Sequence, residues 1–132
     1  MRIAAAQLKR IVAHARRDAP NECCGVVAVR DGVVTDVREA VNAAASPFRF
    51  EVDGPQLYRL LDEIEGRGDE LGAIYHSHTR SEPYPSQTDL NFAALWPGVD
   101  WIIVGVSRDS EPLVRTYRIE EGRVTEVELE AA

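Results

Sequence analysis

The sequence contains little positive charge and no long hydrophobic run. Lys and Arg number 15 against 22 Asp and Glu, and the formal net charge is −7 at pH 7. The phosphate backbone of nucleic acids repels an acidic chain, so we expect no nucleic-acid partner. No apolar run approaches the ~20 residues of a membrane-spanning helix, and residues 1–12 lack the apolar core of a signal peptide. These absences predict a cytoplasmic protein that does not contact membranes.

Cysteine is also scarce, and the two residues present are the neighbours Cys23 and Cys24. Such a pair offers no disulfide framework. Neighbouring side chains in a strand point to opposite faces, so at most one of these thiols could face a given site. Thiolates bind zinc well, which leaves a metal role for one of them open. For Cys24, next to Gly25, we expect a buried structural role.

Length and hydrophobic periodicity predict one domain over residues 1–132. A chain of this length with 45% hydrophobic residues can bury a core. Apolar stripes with helical spacing predict three helices, over Ala4–Ala15, from Asp53 to Gly66 and over Ser86–Leu95. Shorter apolar runs predict seven strands, namely Val26–Arg30, Val33–Arg38, Phe48–Val52, Leu71–Tyr75, Trp101–Val106, Leu113–Ile119 and Val124–Leu129. This order predicts an α/β (α+β) domain, with a single mixed sheet flanked by helices.

Two further expectations concern burial. The run Trp101–Val106 is apolar at successive positions, which predicts a central strand covered by helices on both faces. His14 lies at the edge of the first helical stripe and is followed by two arginines. We therefore expect His14 to be a partly exposed surface residue without a functional role.

Most of the reactive side chains fall between Tyr75 and Asp89. His76 and His78 follow a predicted strand one residue apart, so their side chains project from the same face. Asp89 opens a predicted helix soon afterwards. Two imidazoles and one carboxylate form the three-ligand set of a catalytic zinc site, whose fourth position holds water. The conjunction of H-x-H, a short loop and S-x-x-D therefore predicts a metal site.

The S-x-x-D pattern has a second, structural interpretation. Ser86 and Asp89 precede an apolar run with the spacing of a helix capping box. Taken alone, this pattern favours the cap over a metal ligand. The two interpretations are compatible, because the N-terminal turn of a helix tolerates a negative charge that also faces a metal.

Hydrolysis of an amide at such a site also requires a group that moves protons to the leaving amine. Glu22, just before the strand that begins near Gly25, is the candidate for this carboxylate. Its position alone does not exclude an ordinary exposed loop glutamate. Two other zinc-hydrolase patterns, H-E-x-x-H and H-x-E…P-C-x-x-C, are absent.

These residues together resemble the JAMM (MPN+) metalloprotease family. The motif H-S-H, seven residues, S, two residues, D matches, and Pro20–Gly25 resembles the family's P-x-E-x-C-G segment. The order of predicted elements extends the resemblance over roughly residues 3–120. The sequence HSHTRSEPYPS is most similar to the small bacterial CysO-cysteine peptidase branch. One departure is Thr79, which stands where many members have proline.

The resemblance implies an MPN/JAMM-like (cytidine-deaminase-like) fold with a mostly antiparallel sheet. It implies that His76, His78 and Asp89 bind one zinc ion with a bound water. It also implies that Glu22 is the general acid/base and that Ser86 hydrogen-bonds the oxyanion. The expected activity is hydrolysis after the C-terminal Gly-Gly of a ubiquitin-like sulfur-carrier protein, with release of cysteine for cysteine biosynthesis.

Three alternatives remain at this point. One is a deubiquitinase-like isopeptidase, and another is a processor of ubiquitin-like precursors. A non-catalytic MPN interaction module is the third, although the five residues of the motif are all present. The sequence leaves the oligomeric state open, a homodimer included.

Overall fold

The computed structural model of the protein describes residues 1–106 and 111–132, which form three helices and eight strands. The helices are α1 (Ala5–Asp18), α2 (Gly54–Gly66) and α3 (Gln87–Ala93). The strands are β1 (Arg2–Ile3), β2 (Cys24–Arg30), β3 (Val33–Ala40), β4 (Glu70–His78), β5 (Asp100–Gly105), β6 (Leu113–Glu120), β7 (Arg123–Val127) and β8 (Glu130–Ala131). Within the described ranges, no helix is both long enough and apolar enough to cross a membrane.

The eight strands form one mixed sheet in the order β7-β6-β5-β4-β2-β3-β1-β8. The hairpins β2–β3 and β6–β7 and the pairs β2–β4 and β5–β6 are antiparallel. The pairs β4–β5, β1–β3 and β1–β8 are parallel. The predicted fold class, a single mixed and mostly antiparallel sheet flanked by helices, is confirmed.

Helices cover both faces of the sheet, and the sheet separates the hydrophobic core into two halves. The apolar residues of α1 pack on one face, and those of α2 and α3 pack on the other. Strand β5 contributes to both halves, with Trp101 and Ile103 on the side of α2 and α3 and Ile102 and Val104 on the side of α1. The prediction of a doubly covered central strand is therefore confirmed.

The predicted strand Phe48–Val52 is wrong, because this segment has no regular structure. Its backbone hydrogen bonds go to the preceding loop instead of to a neighbouring strand. The Glu51 N–H donates to Oδ1 of Asn42 (3.0 Å), and the Ala43 N–H donates to the Glu51 carbonyl (2.7 Å). Phe50 still packs into the core, which explains the alternation that the sequence shows.

The ends of the elements differ in smaller ways. The helix α3 ends at Ala93, two residues before the predicted Leu95. The strands β1 and β8 were not predicted, because two residues carry no periodicity.

The expectation for His14 is wrong as well, since only 2% of this residue is exposed. Its Nδ1 lies 2.7 Å from the hydroxyl of Tyr75, and its Nε2 lies 3.2 Å from a carboxylate oxygen of Asp18. The side chain of Tyr75 points into the core beneath α1, where its hydroxyl needs a hydrogen-bond partner. This requirement arises because α1 packs against β4, and the apolar pattern of the helix alone does not predict it.

Replacing Gly25 by alanine is expected to lower the free energy of unfolding by ~1–3 kcal/mol. A Cβ at this position would overlap the ring of Tyr75. The ring cannot easily move aside, because Tyr75 is fully buried and its hydroxyl is bound to His14. Urea-induced unfolding measures the loss. Gly66→Ala is the matched control, because a Cβ there meets no atom within 4 Å among the described residues; equal stability of the two variants would contradict the prediction.

Candidate metal centre

Two adjacent elements bring the three candidate ligands together. Strand β4 ends in His76, Ser77 and His78, and the two-residue period turns both imidazoles towards the face covered by α2 and α3. Asp89 lies in the first turn of α3. The two Nε2 atoms are 3.1 Å apart, and Oδ2 of Asp89 lies 3.1 Å from that of His76 and 3.2 Å from that of His78. All three residues are buried.

The geometry of this cluster fits a divalent cation. Ligands bonded at 2.0–2.1 Å around a tetrahedral zinc lie about 3.3 Å from one another, close to the observed separations. The Nδ1 of His78 lies 2.8 Å from the Glu82 carbonyl oxygen, so this nitrogen carries the proton as donor. The lone pair of its Nε2 therefore points at the cluster, with the ring orientation fixed as in metal-binding histidines.

The electrostatics of the cluster also suit a metal. Burial raises the pKa of the Asp89 carboxyl, but hydrogen bonds with the two histidines outweigh burial and hold that pKa well below its usual range. Burial lowers the pKa of His76. For His78, burial lowers the pKa, but hydrogen bonds to Asp89 and to the Glu82 backbone outweigh burial and raise it. Metal binding requires an ionised carboxylate and neutral imidazoles, which are the forms that the shifts of Asp89 and His76 favour, and a bound cation would displace a proton from His78. The cluster of His76, His78 and Asp89 could hold a metal ion.

Ser86 is the N-cap residue of α3. Its Oγ accepts a hydrogen bond from the Asp89 N–H (3.1 Å), and its N–H donates to Oδ2 of Asp89 (2.9 Å). The same carboxylate oxygen thus closes the capping box and faces the histidines, so the cap is compatible with the metal-ligand interpretation of S-x-x-D. The cap uses a lone pair of Oγ and leaves its O–H as a donor. Ser86 is exposed, so a substrate could reach it.

Glu22 lies beside the cluster because of the pairing between β2 and β4. Cys24 is opposite His76 in this antiparallel pair, and the same register continued by two residues places Glu22 opposite His78. Glu22 is only 5% exposed. Burial is the main reason why its pKa is raised to about 7, with His78 lowering and Asp89 raising it. A carboxyl with a pKa near neutrality can both accept and release a proton.

The two cysteines are buried on opposite faces of the sheet, Cys23 beneath α1 and Cys24 on the side of α2 and α3. The expected burial of Cys24 is thus confirmed. Burial raises the pKa of both thiols to about 12. Neither thiol belongs to the cluster of His76, His78 and Asp89.

The sequence analysis did not identify two residues that support the site. Phe50 stacks on the ring of His76, with centroids 4.5 Å apart and planes 24° from parallel. Asn42 is buried and donates to the Glu22 carbonyl (3.0 Å) while its oxygen accepts from Ala44 and Glu51. An asparagine between two apolar residues in a predicted loop was the one available signal.

The comparisons with known proteins identify the family of the chain. The family model for prokaryotic homologs of the JAB domain (Prok-JAB) matches residues 4–120. The CysO-cysteine peptidase of Mycobacterium tuberculosis is 37% identical over 118 residues, which cover 88% of this chain and 80% of that protein. The desampylase of Haloferax volcanii is 39% identical over 100 residues, which cover 70% and 71%.

A solved structure, that of protein DSY2949 from Desulfitobacterium hafniense, superposes with a TM-score of 0.84 at 26% identity. The match covers 98% of this chain and 91% of that chain. The resemblance to the JAMM family, near the CysO-cysteine peptidase branch, is confirmed by these matches. The chain belongs to the family of prokaryotic homologs of the JAB domain.

Proposed function

We propose that the chain is a zinc-dependent peptidase acting on a ubiquitin-like sulfur-carrier protein. It would hydrolyse the bond after the carrier's C-terminal Gly-Gly and release cysteine. The observation that carries this proposal is the convergence of His76, His78 and Asp89 beside the buried Glu22. The similarity to the CysO-cysteine peptidase of Mycobacterium tuberculosis supports this substrate. We further propose that residues 1–132 act as one catalytic domain, since β1 and β8 pair with each other in the sheet.

The residues of the site divide the chemistry among them. His76, His78 and Asp89 would hold the zinc ion through the three atoms that already converge. A bound zinc ion polarises a scissile carbonyl and lowers the pKa of water to about 7. Glu22 would accept a proton from the attacking water and deliver it to the nitrogen of the departing amine, so that the C–N bond breaks with no net proton change. The Ser86 O–H would donate to the oxygen that becomes negative in the transition state.

Two exposed aromatic residues lie in the loops next to the site, where we propose that they form the walls of the substrate groove. Phe48 is 71% exposed in the loop before α2, and Tyr84 is 57% exposed in the loop between β4 and α3. The guanidinium of Arg80 lies 5.1 Å from the centre of the Phe48 ring and thus joins the two loops. An extended Gly-Gly tail carries no side chains, so it could pass between such walls to the metal centre.

Cleavage of a defined conjugate tests the proposed function directly. A sulfur carrier ending in Gly-Gly and amide-linked to cysteine is incubated with the zinc-loaded protein, and mass spectrometry follows the free carrier. We expect cleavage that a chelator stops and added zinc restores. Absence of cleavage of this and every other conjugate would instead favour the non-catalytic interaction module.

A second candidate activity is the cleavage of isopeptide bonds between a ubiquitin-like protein and lysine. The similarity to a desampylase, and the 33% identity to a protein of Thermus thermophilus named a probable TtuB-protein conjugate cleaving protease, favour it. Comparing kcat/KM for the cysteine adduct, a lysine isopeptide and a carrier with a longer C-terminal extension separates this activity and precursor processing from the proposed one.

Replacing Ser86 by alanine is expected to lower kcat by ~10²–10³-fold, the usual cost of losing an oxyanion donor. The same change removes the helix cap, which costs about 1 kcal/mol of stability. Ser86→Gly separates the two effects, because glycine at an N-cap costs only a few tenths of a kcal/mol. Both variants should lose turnover, while thermal denaturation should show a clear loss for alanine alone. A glycine variant with wild-type turnover would leave Ser86 with the cap as its only role.

A further inference from the structure

Thr79 joins the metal-binding end of β4 to two other segments of the chain. It follows His78 directly, and its Oγ1 lies 2.9 Å from the carbonyl oxygen of Pro20 and 3.2 Å from that of Pro47. A hydroxyl has a single proton, so the two carbonyls share one donor. One side chain thus connects three segments that are far apart in the sequence.

Both of these acceptors belong to segments that fix the backbone of Glu22. Pro20 lies two residues before Glu22 in the same loop. Pro47 follows Ser46, whose carbonyl accepts the Glu22 N–H at 2.9 Å.

Ser77 of β4 already bonds to Cys23, the neighbour of Glu22, because its Oγ accepts the Cys23 N–H at 2.8 Å and its N–H donates to the Cys23 carbonyl at 3.2 Å. The hydroxyl of Thr79 adds a bond from the end of β4 to the segment before Glu22 and to the segment that accepts the Glu22 N–H.

Asn42, in the loop before α2, adds further hydrogen bonds to the segments around Glu22. Its side-chain amide donates to the carbonyls of Glu22 and Arg49, both at 3.0 Å. The backbone N–H and C=O of Glu22 are thus both bonded to the loop before α2. Among the described residues, Thr79 contributes the side-chain hydrogen bond that joins this loop to the end of β4.

We propose that Thr79 is a positioning residue, whose hydroxyl sets the place of Glu22 relative to the metal-binding histidines. This inference rests on the proposed function, because Glu22 needs such placement only if it transfers protons at the cluster. A proton-transfer group must come within hydrogen-bond reach of its partner, and a displacement of about 1 Å can cost 10²-fold in rate. Thr79 itself touches no reacting atom.

The matched pair Thr79→Val and Thr79→Ser tests the role of the hydroxyl. Valine keeps the shape and the β-branch but removes the donor, whereas serine keeps the donor. We expect kcat to fall by ~10–10²-fold in the valine variant, with KM changed by less than about twofold. The serine variant should restore most of the turnover. Equal losses in both variants would show that packing of the side chain, and not the hydroxyl, matters.

A double-mutant cycle tests whether Thr79 acts through Glu22. In a Glu22→Gln protein, the further change Thr79→Val should alter kcat by less than about twofold, because the group that it positions is already lost. A loss as large as that in the wild-type background would mean that Thr79 acts on the reaction independently of Glu22. That result would overturn the inference.

Amide hydrogen exchange provides a readout that needs neither substrate nor turnover. The Glu22 N–H is bonded to the Ser46 carbonyl. If loss of the Thr79 hydroxyl loosens the segments around Glu22, exchange of this N–H should become ~10-fold faster in the valine variant and stay unchanged in the serine variant. Exchange that is unchanged in both variants would refute the positioning role. If the wild-type protein cleaves no conjugate at all, the proposed function fails, and this measurement still decides whether Thr79 holds Glu22 in place.

Discussion

The variant Glu22→Gln is expected to retain its metal while kcat falls by ~10²–10⁴-fold, the share that acid–base catalysis usually contributes. Glutamine has nearly the same size and shape as glutamate but cannot accept and return a proton. Glu22 is buried beside His78 and Asp89, and burial brings its pKa to about 7. The same carboxyl can therefore take a proton from water and give it to the amine near neutral pH.

Two measurements separate this role from a structural one. Metal analysis should find as much zinc in Glu22→Gln as in the wild-type protein, because no atom of Glu22 belongs to the three-ligand cluster. Glu51→Gln is the matched control, since it makes the same chemical change at an exposed glutamate. Full turnover in Glu22→Gln, or loss of its metal, would remove Glu22 from the proposed role.

The sequence was sufficient to predict features that arise from local geometry. His76 and His78 lie on one face because a strand has a two-residue period, and Ser86 caps a helix because of its spacing from Asp89. The burial of Trp101 and its neighbours on both faces follows from a short, continuous apolar run. Each of these features is encoded within fewer than ten residues.

Features that depend on which distant elements pair were not predictable in this way. The place of Glu22 follows from the register of β2 against β4, which no local pattern specifies. His14 is buried because the Tyr75 hydroxyl, 61 residues further along the chain, requires a partner. In the segment of Phe48–Val52, the side chain of Asn42 takes the backbone hydrogen bond that a neighbouring strand would have provided. In each case the deciding hydrogen bonds join residues that no periodic pattern relates.

The departure at Thr79 belongs to the same class of long-range effects. The sequence alone shows only that Thr79 deviates from the family pattern. In the fold, its hydroxyl reaches carbonyls 59 and 32 residues away. A threonine can make these bonds and a proline cannot, because proline has neither a hydroxyl nor an N–H to donate.

The largest effect is expected from Asp89, whose replacement by asparagine should abolish zinc binding and activity. Oδ2 of Asp89 faces both histidine Nε2 atoms, and its negative charge balances the cation. Loss of an outer partner of a ligand typically costs 10–100-fold in metal affinity, and loss of a charged ligand should cost more than ~10²-fold. His78→Ala should lose the metal for the same reason.

Asparagine is the better test than alanine because Asp89 also closes the cap of α3. The amide oxygen of asparagine can still accept the Ser86 N–H, which Asp89 accepts at 2.9 Å, whereas alanine loses that bond. Zinc per chain, measured after dialysis against a weak chelator, should fall to near zero in Asp89→Asn. It should stay at the wild-type level in Asp62→Asn, which removes an exposed carboxylate from α2. One zinc per chain in the Asp89 variant would remove Asp89 from the ligand set and leave its carboxylate with the cap of α3 as its role.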